Sequence, residues 1–238
     1  MINQRANFLN DLGFNPSAAE AIDCGPGGGI EIKNSDNGYE IVLYDNIGFD
    51  WSTGEGVTAK MFVDAIASAG DREITVRINS PGGDVFDGLA MYNSLKNAPN
   101  KVNVVIDGLA ASAASIVAMS GDDIKIHKAA QVMIHSAWTI AAGNSADLRD
   151  VADVLDKIDG QLAGIYSDKT GSDPEEFLSI MAKDNFLTSA EALEWGLVDS
   201  VIEPEPKMEK DKQPKKKNSV TASARTRLLK LKRIKSGS

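Results

Sequence analysis

The chain has two histidines, His127 and His135, and therefore only two imidazoles that could act as a general base near neutral pH. A serine hydroxyl is a weak nucleophile without such a base. The serine of most interest lies in "DGLAASAASIVAM", Asp107 to Met119, a run of small residues in which Gly108 precedes Ser112. The run fits a buried helix pressed between neighbours that admit only small side chains. It fits equally a tight turn from strand to helix, where Ser112 is exposed and the backbone comes close to a substrate. A serine at a helix start is most often an N-cap, and the alternative for Ser112 is an acyl-transfer nucleophile. Ser115 lies inside the helix and Ser120 near its end, so neither is placed for attack. His135 ends "VMIH", which brings its side chain out at the C-terminal edge of a buried strand, where α/β sheets build their sites. His127, between two lysines in "KIHK", reads as a solvated strand position. If the chain is a Ser–His enzyme, its base is His135.

Two further groups belong to such chemistry. A carboxylate should hold the imidazole in one tautomer. Acidic residues are too many for spacing to select one. Asp184, in "AKDNFLTSAEA", is read as lying in a short connector between two helices, just before a buried Phe186. From pattern alone it fits a helix-ending Asp better than a catalytic one. An oxyanion needs donors, and "NSPGG", Asn79 to Gly83, meets a helix where its glycines leave backbone N–H groups uncovered. A plain strand-to-helix turn would look the same.

The elements that position these residues alternate. "YEIVLYDNIG" from Tyr39 reads as a strand. "VTAKMFVDAIASAG" is a helix with Met61, Phe62, Ala65, Ile66 and Ala69 on one face, stopped at Gly70. "EITVRI" is a β-branched strand broken at Pro81. Val85, Leu89, Tyr92 and Leu95 mark the next helix, stopped by Pro99. "KVNVVID", Lys101 to Asp107, is a strand, and the Ala/Ser run is the helix after it. "DIKIH" and "QVMIH" are short strands. A long helix starts at about Ser145, carries Leu148, Val151, Leu155, Ile158, Leu162 and Ile165 at spacings of three and four, and ends near Gly171. Two short helices follow, with capping boxes expected at Ser172/Glu175 and Thr188/Glu191. "GLVDSVI" closes the domain as a strand. Alternation of this kind implies an α/β fold with right-handed crossovers.

The 238 residues suffice for one domain with appendages, and 42% hydrophobic with 25% charged residues is ordinary for a soluble protein. A single cysteine, Cys24, excludes a disulfide framework, and with two histidines no metal centre or other cofactor is expected. No apolar run reaches transmembrane length, and "MINQRANFLNDLG" lacks a secretory signal, so a cytoplasmic location is expected. The net charge of −9 conceals an asymmetry. Residues 207–238 carry 12 Lys/Arg and 2 Asp/Glu, a balance of +10, which leaves 13 basic and 32 acidic residues, −19, in the remainder. Three regions result: an N-terminal arm over 1–38 with one short helix from Ser17, a globular domain over 39–203, and a disordered basic tail over 204–238 that ends in a basic amphipathic stretch. Nucleic acid would be attracted by the tail alone.

"INSPGG", "DGLAASAAS", "VMIH" and "NFLTSAEALEWGLVDSVI", in this order, resemble the ClpP-type serine peptidases from about Tyr39 to Glu203. The resemblance is closest to the ClpP-related head-maturation (prohead) proteases of tailed bacteriophages, which share "RINSPGGDVFDGLA" and "DGLAASAAS" nearly as they stand here. It implies a ClpP/crotonase-like fold and a Ser–His–Asp triad of Ser112, His135 and Asp184, with Gly83 and Ala113 donating to the oxyanion. It also implies a homo-oligomeric ring, heptameric or tetradecameric, acting on protein substrates, here coat or scaffold protein inside the procapsid. Ala113 stands where housekeeping ClpP has Met, and Ser136-Ala137 where it has Gln-Pro. Residues 1–38 show no counterpart of the segment that docks an ATPase, which favours the phage subgroup. The other expectations are a housekeeping Clp subunit, a crotonase-like acyl-CoA enzyme without a triad, and a non-catalytic assembly factor acting through its tail.

Overall fold

A computed structural model describes residues 30–35, 38–49 and 55–204. The helix expected from Ser17 and the basic tail beyond Pro204 lie outside these residues, whereas residues 31–35, expected in the arm, form an edge strand paired with the next strand of the domain. Among the described residues the strands are β1 (Glu31–Ser35), β2 (Gly38–Leu43), β3 (Ile74–Ser80), β4 (Val102–Ala111), β5 (Asp123–His127), β6 (Gln131–Ile134), β7 (Asn185–Thr188) and β8 (Ser200–Ile202). The helices are α1 (Ala59–Ala67), α2 (Val85–Lys96), α3 (Ala113–Ala118), α4 (Ser145–Thr170), α5 (Pro174–Met181) and α6 (Ser189–Glu194).

The sheet runs β1-β2-β3-β4-β5-β8, parallel from β2 to β8, with β1 antiparallel at its edge. Alternation along the strands decides its faces. Ile74, Val76 and Ile78 of β3, Val104 and Ile106 of β4, and Ile124 and Ile126 of β5 are fully buried on one side. Phe62 of α1, Met91 and Leu95 of α2, and Ile116 and Val117 of α3 cover that side in one continuous core. Each such side chain contributes roughly 1.5–3 kcal/mol on burial. The opposite side carries a polar network. Asp107 accepts from Arg77 and Tyr44, and the imidazole of His127 lies 3.3 Å from its carboxylate. His127 is thus paired rather than simply solvated.

β4 is longer than the sequence suggests. It continues through Gly108, Leu109, Ala110 and Ala111, residues expected to form the turn into a helix that starts near Ser112. Against β3, Ile78 faces Ile106 and Ser80 faces Ala110, so two steps on β3 match four on β4. That bulge at Asp107–Leu109 bends β4 out of the main sheet. Its first half pairs with β5 and its last residues pair with β6. β6 in turn holds β7 antiparallel, over a small apolar cluster of Leu109, Ala111 and Met133 backed by Phe186.

Other expectations are adjusted by packing. Met61 is exposed, whereas Phe62 and Ala65 are the buried pair of α1. Phe186 is half-buried, and "NFLT" is strand β7, so Asp184 joins a helix to a strand. Asp173, not Ser172, caps α5, because Pro174 takes the first helical position and needs no donor partner there. The capping box of Thr188 and Glu191 is formed. Helix α4 ends at Gly171 in the left-handed conformation. Its C-terminal half is buried through Ile158, Leu162, Ala163 and Tyr166, and the Tyr166, Phe177 and Trp195 rings stack it onto α5 and the end of α6. Its N-terminal half leaves Leu148 and Val154 exposed.

Candidate active site

Strand ends bring the site together. β4 and β6 run parallel and stop side by side, with Ala111 opposite Met133. Ser112 and His135 are the next residues out, at the C-terminal edge. The antiparallel register of β6 and β7 pairs Ile134 with Asn185, so one further step places His135 across from Asp184. Three residues far apart in sequence are thus set together by two strand registers.

Ser112 stands at the N-cap position of α3 but makes no side-chain cap. Its Oγ lies 2.7 Å from His135 Nε2. Its backbone is strained, with φ 52° and ψ −127°, a conformation costing on the order of 1–3 kcal/mol. Among the described residues, Ser112 and Asp184 are the two non-glycine residues with positive φ. Strain of this kind persists only where the surroundings over-determine it. Here the Ser112 N–H donates to Met133 O at 2.9 Å, and the Ser112 carbonyl accepts from both the N–H and the Oγ of Ser115.

Ser115 is in turn tied to α4. Its hydroxyl proton is used on Ser112 O, so the Tyr166 hydroxyl is the donor in their 2.7 Å contact. Burial pushes the Tyr166 phenol far above its ordinary range, keeping it a protonated donor. Ser115→Ala should leave that buried hydroxyl unpaired and lower stability by about 1–3 kcal/mol in urea unfolding. Adding Tyr166→Phe should restore most of the loss. Full additivity of the two substitutions would contradict the link.

His135 is buried, and the segment after it is pinned from two sides. Ser136 N–H donates to Met181 O, the same carbonyl that accepts from Asp184 N–H, and Ala137 N–H donates to Asp159 Oδ1 at 2.6 Å. Asp184 Oδ1 stands 3.6 Å from His135 Nδ1, beyond hydrogen-bond length but within charge range, on a carboxylate about half exposed. Burial lowers the imidazole pKa below its usual value, and the charges of Asp184 and then Asp159 pull it partly back up. The ring is therefore neutral at pH 7. With Nδ1 facing carboxylate, Nε2 is the nitrogen free to accept the Ser112 proton.

The turn after β3 closes the other side. The Gly82 carbonyl and the Asp84 N–H both bond Ile47, so the intervening Gly83 N–H faces the opposite way. A side chain at Gly83 (φ +143°) would strike Ile47 O at 2.1 Å. Ala113, first residue of α3, has an N–H that no carbonyl of its own helix can take. Both residues border a cavity of about 500 Å³ that opens at Ser112 and His135. Its walls are mainly apolar: Val85 and Phe86 from α2, and Val151, Leu155, Ile158 and Leu162 from α4.

The structure brings together the five residues that the sequence reading assigned to the site: Ser112 and His135 in contact, Asp184 beside them, Gly83 and Ala113 on the rim. Sequence reasoning missed Asp159 and Tyr166. Tyr166 could have been found from the helical stripe, since it lies four residues past Leu162.

No helix among the described residues is long and apolar enough to cross a membrane. The sequence profile of the Clp protease family matches residues 35–205. The ATP-dependent Clp protease proteolytic subunit of Deinococcus radiodurans is 35% identical over 135 residues, which cover 56% of this chain and 66% of that protein. The matched part thus spans just under two thirds of the relative's length. With the profile matching well over half of its residues, this chain belongs to the Clp protease family.

Proposed function

We propose that the chain is a serine endopeptidase in which Ser112 attacks the scissile carbonyl, His135 transfers the proton and Asp184 orients the ring. The observation that carries this reading is the 2.7 Å approach of Ser112 Oγ to His135 Nε2 at a strained turn. Attack forms the Oγ–carbonyl carbon bond while Nε2 takes the hydroxyl proton. Gly83 and Ala113 N–H groups receive the developing oxyanion. The imidazolium then gives its proton to the leaving amine, and water, deprotonated by the same nitrogen, releases the acyl group. The apolar cavity beside Ser112 favours a large apolar side chain on the acyl side of the cleaved bond.

The substrate we infer is coat or scaffold protein, cut by a homo-oligomeric ring during phage head maturation. "RINSPGGDVFDGLA" and "DGLAASAAS" support this, together with a basic tail on an acidic globule, suited to acidic assembly surfaces. A second reading, a housekeeping subunit served by an ATP-driven unfoldase, has the name of the Deinococcus relative in its favour. Co-expression with coat and scaffold proteins separates them. The wild type should shorten those proteins on a gel without any unfoldase, and Ser112→Ala should leave them intact. Processing that appears only when an unfoldase is added favours the second reading. Equal processing by the alanine variant removes both.

A further inference from the structure

We propose that Asp159 is a positioning residue for His135: its carboxylate clamps the backbone two residues beyond the imidazole and supplies a second negative charge to the ring. The inference rests on the peptidase reading and extends it to a residue outside the Ser–His–Asp set.

Asp159 lies on α4, in the half of the helix that packs into the core, directly after buried Ile158. Its Oδ1 accepts the Ala137 N–H at 2.6 Å. The segment it holds has no regular structure between β6 and α4. Without a ladder, that segment's position depends on individual bonds. Two are present at its start: Ser136 N–H to Met181 O, and Ala137 N–H to Asp159. The first ties His135 to the connector that carries Asp184; the second ties it to the wall of the substrate cavity. A bond from an N–H to an ionised carboxylate is roughly twice as strong as one between neutral groups. Asp159 is therefore the firmer of the two clamps.

The charge of Asp159 matters as well as its oxygen. The charged groups facing His135 are Asp184, from the α5–β7 connector, and Asp159, from α4. Asp84 and Asp150 border the same cavity. Asp184 is about half exposed and 3.6 Å from Nδ1, so solvent screens part of its effect. Asp159 is half-buried, the less exposed of the two. During proton transfer the ring becomes an imidazolium in a partly desolvated place, and both carboxylates stabilise that charge. The acid's task is thereby shared between the end of a connector and the face of a rigid helix.

The test separates oxygen from charge. Asp159→Asn keeps a side-chain carbonyl that can accept the Ala137 N–H and removes the charge. Asp159→Ala removes both. With two histidines in the chain, ring-labelled histidine in the full-length protein gives two NMR titration curves, assigned by His127→Asn. In Asp159→Asn the His135 midpoint should move to lower pH. The acidic limb of kcat/KM on a fluorogenic peptide should move the same way, because a base of lower pKa stays neutral further into acid. Its plateau should fall about tenfold, in kcat rather than KM. Asp159→Ala should lose about tenfold more through the freed segment.

A His135 midpoint that stays in place in Asp159→Asn overturns the inference. So does a loss in Asp159→Asn that equals that in Asp159→Ala and comes with an unchanged pH profile, which would make Asp159 merely structural. If Asp159→Ala does not fold, the Asp159→Asn titration decides alone. The titration needs no turnover. A wild type without peptidase activity therefore defeats the proposed function, and an unmoved midpoint in an active enzyme defeats only the role of Asp159.

Discussion

Ser112→Ala is expected to lower hydrolysis of a fluorogenic peptide by on the order of 10⁶-fold and to abolish labelling by a fluorophosphonate. The size follows from the way the residues act as a unit. The hydroxyl supplies the atom that bonds to the acyl group, and His135 has no proton to move without it. Single removals from such sets cost nearly as much as removing the whole set. The variant should fold, because the backbone bonds that hold residue 112 survive: its N–H on Met133 O and its carbonyl on Ser115. The bond its side chain makes to His135 is the one under test. Labelling also distinguishes a crotonase-like acyl-CoA enzyme, which would use the same oxyanion donors but have no serine to phosphonylate. Wild-type labelling in Ser112→Ala would assign the reactive hydroxyl elsewhere and leave the strained turn without a role.

Ser112 and His135 are legible in the sequence because the chain has few alternatives. Two histidines, one on a buried strand end, leave one base for a Ser–His enzyme, and the glycine-led run of small residues puts Ser112 at a helix start, where the resemblance decides between an N-cap and a nucleophile. The strand–helix alternation is legible for a similar reason, since β-branched runs such as "ITVRI" and spaced apolar residues such as Val85, Leu89 and Leu95 have clear periods. The path of β4 is not. "GLAA" has no alternation to mark a strand, because Leu109, Ala110 and Ala111 are buried in succession, on both faces, after an exposed Gly108. The bulge that turns it out of the sheet depends on its pairing with β3 along one edge and with β5 and then β6 along the other, which is a tertiary event. Asp184 stands out from the other acidic residues only through resemblance. Its position follows from the pairing of two four-residue strands, too short to announce themselves. Asp159 is hidden differently. Asp147, Asp150, Asp153 and Asp156 precede it on α4, and nothing in that series says which one turns inward. The packing of Ile158, Leu162, Ala163 and Tyr166 against the core fixes the rotation of the helix.

Gly82→Ala should cost at least a hundredfold in peptide hydrolysis and about 2–4 kcal/mol in stability, without removing any functional group. A Cβ at residue 82 would sit 2.6 Å from Ala111 O, 2.7 Å from Ser112 Cβ and 2.9 Å from Ala113 N. Those are atoms of the turn that presents the hydroxyl and of a candidate oxyanion donor. Two of the three are backbone, so no rotamer change relieves them. Residue 82 cannot retreat either. Its carbonyl accepts from Ile47 N at 2.7 Å, its N–H donates to Ser80 Oγ at 3.1 Å, and its φ of +93° disfavours any side chain. The strain therefore falls on Ser112, whose conformation is already held against its preference. A shift of even 1 Å there separates Oγ from the acyl carbon and Ala113 N–H from the oxyanion at once, and misplacements of that size can cost 10²-fold. Gly160→Ala is the control: it lies within α4 with nothing inside 4 Å of its added carbon, and it should hold activity while gaining up to about 1 kcal/mol. Denaturant unfolding and kcat/KM on the two variants give the comparison. A Gly82→Ala enzyme as fast and as stable as the wild type would mean that the contact between the "NSPGG" turn and the "GLAAS" turn is not what holds Ser112 in position.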